Sequence, residues 1–240
     1  MLALTPGQVR LWWSRPRIES SWLAQLDEAE TGRYLRFHRA EDAARFVTGA
    51  AMVRSAFAAD LDISPASVPL DRTCPDCQGP HGKVRLRSDP TDVLHVSVSH
   101  SADWVVLAAT RTGPIGIDVE RIDDRRDHVA LGRFALCDGE MLALKATAEK
   151  DRPGWFTTCW VRKEAVVKAT GHGLRMPLRE FTVTGEPGSP TVTTLSKRLM
   201  WPSAGQVVDL AHDDDYRAAL AVLVGPIEHV DFEVFDGRIR

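Results

Sequence analysis

The sequence predicts an α+β fold of two pseudo-symmetric halves, 1–112 and 113–240, packed face to face, each with a largely antiparallel sheet and a long helix. Residues 99–115 begin Ser-His-Ser-Ala-Asp-Trp and end in Gly-Pro-Ile, and residues 211–227 begin Ala-His-Asp-Asp-Asp-Tyr and end in the same Gly-Pro-Ile. The matched residues are 112 positions apart, and the same offset aligns two helical stretches. A chance likeness between two hairpins is the alternative, because all hairpins draw their turn and strand residues from the same small set of residue types.

Periodicity places the elements of both halves. Apolar residues at helical spacing predict a long helix over 41–61, and two β-type runs, 93–99 and 104–110, predict a hairpin. Residues 65–87 are rich in proline, glycine, cysteine and aspartate, which indicates a loop. The other predicted helices span 20–34, 140–149 and 155–170, and the other predicted strands span 9–13, 115–120, 181–183, 191–195, 207–211, 218–224 and 230–234.

The composition indicates a globular protein. With 44% hydrophobic residues the chain can bury a core, and its net charge of −3 does not favour nucleic acid or a membrane surface as a partner. The N-terminus has no basic start before an apolar run, and no window approaches about 18 uninterrupted apolar residues. We therefore expect a cytoplasmic protein.

Four cysteines, Cys74, Cys77, Cys137 and Cys159, are too few and too scattered for a secreted disulfide framework. Cys74 and Cys77 have a metal-type spacing and His81 follows them. A structural zinc site takes four ligands, however, and this stretch supplies three. A zinc site and a plain loop with two thiols both stay open, and the loop is the simpler interpretation.

Two acidic residues lie on the predicted strand 115–120. Side chains two apart in a strand project to the same face, so Asp118 and Glu120 point together. A solvent-facing strand whose acids pair with nearby arginines is the ordinary explanation. The alternative is Mg²⁺, which accepts one or two carboxylates and completes its octahedron with waters and phosphate oxygens.

A third acid and a cation lie in the helix predicted over 155–170. Glu164 and Lys168 are four apart and share a helix face with Trp160. A surface pair of this kind contributes only about 0.3–0.5 kcal/mol, so it means little alone. Its apolar neighbours favour a cation and a carboxylate held in place, which suits phosphoryl transfer.

His100, between Ser99 and Ser101 in the predicted hairpin turn, could donate hydrogen bonds to a phosphate, although an ordinary turn histidine is the alternative. The sequence contains no P-loop, no Gly-x-Gly-x-x-Gly segment and no Gly-x-Ser-x-Gly segment. The common nucleotide-binding loops are therefore excluded, and a serine hydrolase is disfavoured.

Together these segments resemble the Sfp-type 4′-phosphopantetheinyl transferases. Members of that family carry a Gly-Ile/Val-Asp-x-Glu strand and a Trp-x-x-Lys-Glu-Ala/Ser-x-x-Lys helix, and both are complete here, at 116–120 and 160–168. Ser99-His100-Ser101 and Gly82-Lys83 resemble two further family blocks. The resemblance runs from about Arg33 to Leu174.

The resemblance implies transfer of the phosphopantetheine arm of coenzyme A to a serine of an apo acyl or peptidyl carrier protein, with release of 3′,5′-ADP. It places coenzyme A in a cleft between the two halves, with its adenosine and phosphates on the N-terminal half and the metal and catalysis on the C-terminal half. The implied Mg²⁺ ligands are Asp118, Glu120 and Glu164. The implied catalytic residues are Glu164, as the base directly or through a metal-bound water, and Lys168. The implied coenzyme A contacts are Arg33, Arg45, Lys83, Ser99, His100 and Lys168.

The chain departs from the family pattern in its N-terminal half. Glu30 lies where some relatives have a lysine, Ala50 lies where many have an arginine, and Gly82-Lys83-Val84 replaces Gly-Lys-Pro. The alternative functions are an Mg²⁺-dependent transferase or hydrolase of another diphosphate, and a non-catalytic scaffold that binds carrier proteins. Because two similar halves supply an internal pseudo-dimer interface, we expect a monomer.

Overall fold

The computed structural model describes residues 2–74, 77–80, 82–87, 93–171, 173, 176–185, 190–197 and 199–239. The helices are α1 (Ser20–Leu23), α2 (Glu28–Tyr34), α3 (Ala40–Leu61), α4 (His128–Ala135), α5 (Asp138–Ala146) and α6 (Arg152–Thr170). The strands are β1 (Gln8–Ser14), β2 (Leu70–Asp71), β3 (Arg85–Leu86), β4 (His95–Ser101), β5 (Trp104–Thr110), β6 (Ile115–Arg121), β7 (Phe181–Thr184), β8 (Thr191–Thr194), β9 (Gln206–Leu210), β10 (Tyr216–Val222) and β11 (His229–Val234). No helix within these ranges has both the length and the apolar character that a membrane span requires.

The chain divides into two compact units, Met1–Gly113 with Ile227–Arg240, and Pro114–Pro226. The C-terminal segment thus belongs to the first unit, which differs from the predicted halves. The reason is β11, which runs parallel to β1 and pairs with it along its whole length. This pairing joins the two ends of the chain and leaves no local signal in the sequence.

The first unit combines a sheet of strand order β11-β1-β5-β4 with the long helix α3. Strands β1 and β4 both pair antiparallel with β5. Trp12, Val105 and Leu107 of the sheet form a buried apolar cluster with Met52 and Phe57 of α3. The apolar stripe that predicted the helix therefore lies against the sheet.

A buried ion-pair network supports α3. Arg54 lies in the middle of the helix and is 1% exposed, and its guanidinium binds Glu30 (Nε to Oε2, 2.7 Å) and Asp27 (Nη2 to Oδ2, 2.9 Å). Asp27 and Glu30 also form the capping box that begins α2, which splits the helix predicted over 20–34 into two. Glu30 is thus a structural partner of Arg54.

The second unit combines an antiparallel sheet of order β6-β10-β9 with the long helix α6, which packs on β6 and β10. The helix backbone lies very close to the sheet at Gly116. A Cβ atom there would lie 2.0 Å from the carbonyl oxygen of Ala165 and 2.5 Å from the backbone nitrogen of Ala169. Only glycine leaves room for the helix backbone at this point.

The two units repeat one plan. Strand β5 begins at Trp104 and β10 at Tyr216, and helix α3 begins at Ala40 and α6 at Arg152, so both pairs have the offset found in the sequence. In each unit this strand lies between two antiparallel neighbours, β1 and β4 in the first and β6 and β9 in the second. The predicted α+β class is confirmed, and each unit has a largely antiparallel sheet and a long helix.

Cys74, Cys137 and Cys159 are buried, whereas Cys77 is exposed. Burial, together with the nearby charge of Glu140, raises the pKa of the Cys159 thiol to about 12, so this cysteine is a poor nucleophile. His81, the third residue of the zinc interpretation, lies outside the described residues.

The substitution Gly116→Ala tests the close approach of α6. We expect the free energy of unfolding to fall by about 1–3 kcal/mol or more, because the added methyl group meets helix backbone that must move. Urea unfolding followed by circular dichroism measures this loss. Gly139→Ala is the control, since a Cβ atom at Gly139 meets nothing within 4 Å and alanine favours the helix. Equal unfolding midpoints for both variants would contradict the tight packing.

Candidate active site

Three of the predicted site residues lie together in the second unit. Asp118 on β6 is 3% exposed, and Nζ of Lys168 on α6 donates a hydrogen bond to its Oδ1 at 2.6 Å. Glu164 lies one turn before Lys168. Burial raises the pKa of Glu164, the charge of Asp118 raises it further, and Lys168 lowers it. The site therefore contains two interacting carboxylates and one ammonium group.

The local fold explains this grouping. Side chains alternate along a strand, so Asp118 projects to the face of β6 on which Gly116 meets α6. Glu164 and Lys168 are four apart and lie on one side of that helix. The solvent-facing alternative for the strand therefore does not hold for Asp118, which α6 covers.

Glu120 lies two residues beyond Asp118 on the same face of β6, directly across from Arg217 of β10, and is partly exposed. Within the described part of the chain, no group of three His, Cys, Asp or Glu residues is placed to hold a metal ion. The structure thus brings together Asp118 and Glu164 but does not complete a three-carboxylate group with Glu120. A ligand role for Glu120 stays a prediction.

Even without Glu120, the carboxylates of Asp118 and Glu164 provide the oxygen ligands that Mg²⁺ requires from a protein. The ion takes one or two carboxylates and fills its remaining positions with waters and phosphate oxygens. Two carboxylates that repel each other, with one ammonium between α6 and β6 to offset them, leave an excess of negative charge that a divalent cation would neutralise.

Apart from Lys168, the predicted coenzyme A contacts lie in the first unit, and three of them lie in or against one hairpin. Arg45 on α3 donates a hydrogen bond to the carbonyl oxygen of Ala102 at 3.0 Å and forms an ion pair with Asp42. Ala102 lies in the turn between β4 and β5, directly after the segment that carries Ser99 and His100. Ser99 is buried and His100 is exposed.

Arg33 lies in a second basic region. Its guanidinium lies over the ring of Phe46, 4.9 Å from the centroid. Burial lowers the pKa of Arg33, and the positive charges of Arg72 and Arg36 lower it further. Glu30 pairs with Arg72 at 2.6 Å and offsets part of this charge.

Arg33, Arg36 and Arg72 together still favour an anion, because Glu30, which pairs with Arg72, is shared with Arg54. Sequence reasoning missed Arg72, since it lies in an irregular loop without a recognisable motif.

Lys83 belongs to the same loop as Arg72. Burial lowers the pKa of its ammonium group to about 8. The preceding Gly82 donates its backbone N–H to the carbonyl oxygen of Arg72 at 2.6 Å, and a Cβ atom on Gly82 would lie 2.5 Å from the carbonyl oxygen of Thr73. The glycine of the Gly-Lys-Val segment is therefore required by close backbone packing.

The first unit has apolar counterparts of two site residues. Trp12 pairs with Leu107 in the first sheet and Asp118 pairs with Ala219 in the second, and Leu107 and Ala219 are related by the repeat offset. Met52 on α3 is the counterpart of Glu164 at the same offset. Trp12 and Met52 are buried in the apolar core. The shared plan thus accommodates apolar residues at the positions where the second unit has two acids.

Two family models match nearly the whole chain. The model described as "4'-phosphopantetheinyl transferase, N-terminal" matches residues 12–112, and the "4'-phosphopantetheinyl transferase superfamily" model matches residues 114–221. This chain belongs to the 4′-phosphopantetheinyl transferase superfamily. The resemblance found in the sequence is confirmed, and the two matches meet at the boundary between the two units of this transferase.

Curated relatives carry the same name. The transferase is 28% identical to "4'-phosphopantetheinyl transferase HetI" of Nostoc over 92% of this chain and 90% of the relative. It is 29% identical to "4'-phosphopantetheinyl transferase Sfp" of Bacillus subtilis over 62% of this chain and 61% of the relative. A solved holo-[acyl-carrier-protein] synthase of Thermotoga maritima aligns with 47% of this chain and 64% of its own, at 24% identity and a TM-score of 0.39. The assignment rests on the family models.

The raised pKa of Glu164 predicts a pH-dependent gain in stability for Glu164→Gln in the metal-free transferase. Wild-type stability falls as the pH rises through the folded pKa, which lies above the ordinary 4.5, because a proton must leave a partly buried carboxyl beside Asp118. Below pH 4.5 both the folded and the unfolded states hold that proton, so the two proteins converge. We expect the variant to unfold at a higher urea concentration than wild type near pH 7, and the two midpoints to become equal well below pH 4.5.

Asp138→Asn is the control for this titration, because the Asp138 side chain is 97% exposed. It should match the wild-type unfolding midpoint at both pH values. A Glu164→Gln variant less stable than wild type near pH 7 would contradict the mutual repulsion of the two carboxylates.

Proposed function

We propose that this transferase moves the 4′-phosphopantetheine arm of coenzyme A to a serine hydroxyl of an apo carrier protein and releases 3′,5′-ADP. The observation that carries the proposal is the grouping of Asp118, Glu164 and Lys168, of which the two acids lie at positions where the first unit has core residues. Membership of the superfamily and the intact strand and helix motifs support it.

Glu164 is suited to accept the proton of the serine. A base with a raised pKa takes up a proton more readily, and burial together with Asp118 raises the pKa of Glu164. In the proposed step the serine oxygen forms a bond to the phosphorus of the phosphopantetheine arm while the bridging P–O bond of the diphosphate breaks. The serine proton passes to Glu164 and the electron pair of the broken bond leaves with 3′,5′-ADP.

Lys168 is suited to offset charge on the diphosphate. Its side chain is 30% exposed, so its ammonium group can be reached by a ligand while it binds the buried Asp118. Asp118 in turn orients the ammonium at 2.6 Å. Mg²⁺, which Asp118 and Glu164 would hold and to which Glu120 is the proposed further ligand, would neutralise diphosphate charge when bound.

The first unit is proposed to bind the rest of coenzyme A. Arg45, Ser99 and His100 at the β4–β5 hairpin offer hydrogen-bond donors for phosphate groups. The basic region around Arg33 offers several positive charges, and Lys83 lies in the adjoining loop. Arginine is suited to phosphate because its donors form a planar fork.

A mass-shift assay tests the proposed function. The wild-type protein is incubated with coenzyme A, Mg²⁺ and several apo carrier proteins, and we expect the carriers to gain the mass of phosphopantetheine on a serine. Glu164→Gln should lower the rate by at least about 10²-fold, because shape is kept and the base is lost. Asp138→Asn is the control and should keep the wild-type rate. Near wild-type turnover by Glu164→Gln would sink the assignment of the base.

The same assay separates the alternative functions. A carrier protein that binds without gaining mass would indicate a scaffold. Release of phosphate or nucleotide from another diphosphate, with unmodified carriers, would indicate a different transferase or hydrolase.

Asp118→Ala tests the metal site. We expect the Mg²⁺ concentration for half-maximal transfer to rise roughly tenfold or more, since changes even in the outer shell of a metal site have effects of this size. The measurement is the initial rate across an Mg²⁺ titration at saturating coenzyme A. An unchanged titration would count against Asp118 as a ligand.

A further inference from the structure

Lys163, the residue directly before the proposed base, is fully buried on α6. Its Nζ donates hydrogen bonds to the carbonyl oxygens of Ala135 at 3.0 Å, Leu178 at 2.8 Å and Phe181 at 2.8 Å. The same atom lies 2.5 Å from Oε2 of Glu140. A single ammonium group therefore joins the middle of α6 to four oxygen atoms.

Glu140 is buried almost as deeply, at 3% exposure. Its Oε2 also accepts a hydrogen bond from the backbone nitrogen of Cys137 at 3.0 Å, and its Oε1 accepts one from the backbone nitrogen of Val183 at 3.3 Å. The pair of Lys163 and Glu140 thus connects α6 with the end of α4, the start of α5 and strand β7. Because both side chains are buried, water cannot replace either one as a partner if the other is removed.

Packing alone does not require this pair. The counterpart of Lys163 in the first unit is Ala51, which the repeat offset places on α3, and Ala51 is buried in the apolar core. The equivalent helix of the first unit, α3, thus packs on the same kind of sheet with alanine at this position. Replacing a buried ion pair by apolar residues is often neutral or stabilising, so a buried pair is weak evidence of a purely stabilising role.

The location of the pair gives it another role. Adjacent residues on a helix differ in direction by about 100°, so Lys163 and Glu164 point to different sides of α6. Fixing Lys163 to oxygens from three segments limits rotation and sliding of the helix, and thereby fixes the direction of Glu164. Groups that hold a functional side chain in this way are usually packed and hydrogen-bonded themselves.

We propose that Lys163 and Glu140 are positioning residues that hold Glu164 beside Asp118 in a geometry that binds a divalent cation. This inference rests on the function proposed above, because it takes Asp118 and Glu164 as the metal ligands. Neither residue of the pair touches the reacting atoms. Both act through the orientation of α6.

The test compares Lys163→Met, Glu140→Gln and the double variant with wild type. Each single change leaves one buried charge without its counter-charge, so both single variants should lose stability, and the double variant should recover part of it. The probe of the site is Mn²⁺, titrated without coenzyme A or carrier protein and followed by electron paramagnetic resonance. We expect all three variants to bind Mn²⁺ about 10–100-fold more weakly than wild type.

Arg54→Met is the matched control, since it removes a buried cation from the first unit and leaves the second unchanged in sequence. It should lose stability but keep the Mn²⁺ affinity of wild type. If the double variant regains wild-type Mn²⁺ affinity together with its stability, or if wild type itself binds no Mn²⁺, the positioning role is overturned. Failure of the proposed transfer would instead be seen in the wild-type carrier assay, which does not involve these variants.

Discussion

The contact of α6 with Gly116 is the constraint on which the candidate site depends. Because a Cβ atom at that point would lie 2.0 Å from the carbonyl oxygen of Ala165, the helix backbone occupies the space of a side chain. This closeness places Glu164 and Lys168 within reach of Asp118 and keeps Asp118 under cover. A wider separation would let water between the charges, and their mutual effects would weaken. The glycine of the strand motif therefore allows the close approach of the helix, and the acid two residues later supplies the charge.

The two units show how one plan serves two purposes. At equivalent positions the first unit has Trp12 and Met52, which add to its core, and the second has Asp118 and Glu164, which raise each other's energy in the absence of a ligand. Buried carboxylates that repel one another lower stability, and they persist in proteins mainly where a ligand or a reaction uses them.

Local patterns in the sequence predicted most of this fold. The apolar stripe of α3, the β4–β5 hairpin and the offset between the two units all follow from patterns that can be read along the chain. The pairing of β11 with β1 could not be predicted, because the two strands lie at opposite ends of the sequence and nothing in either strand's residues identifies its partner. Buried charges were missed for a related reason. Arg54 and Lys163 interrupt apolar stripes, where a cation is expected to face solvent, and their partners lie in elements that no motif connects to them.

Three consecutive charged residues on α6 show how the helix is held and what it presents. Arg162 binds Asp209 of β9 through two hydrogen bonds of 2.8 and 2.6 Å, and Lys163 binds Glu140 of α5. Glu164, next in order, faces the like charge of Asp118. Since successive residues differ in direction by about 100°, the first two pairs hold the helix from different sides. The ion pairs of Arg162 and Lys163 can therefore offset the repulsion between Glu164 and Asp118. They keep the helix from rotating in the direction that would separate the two carboxylates.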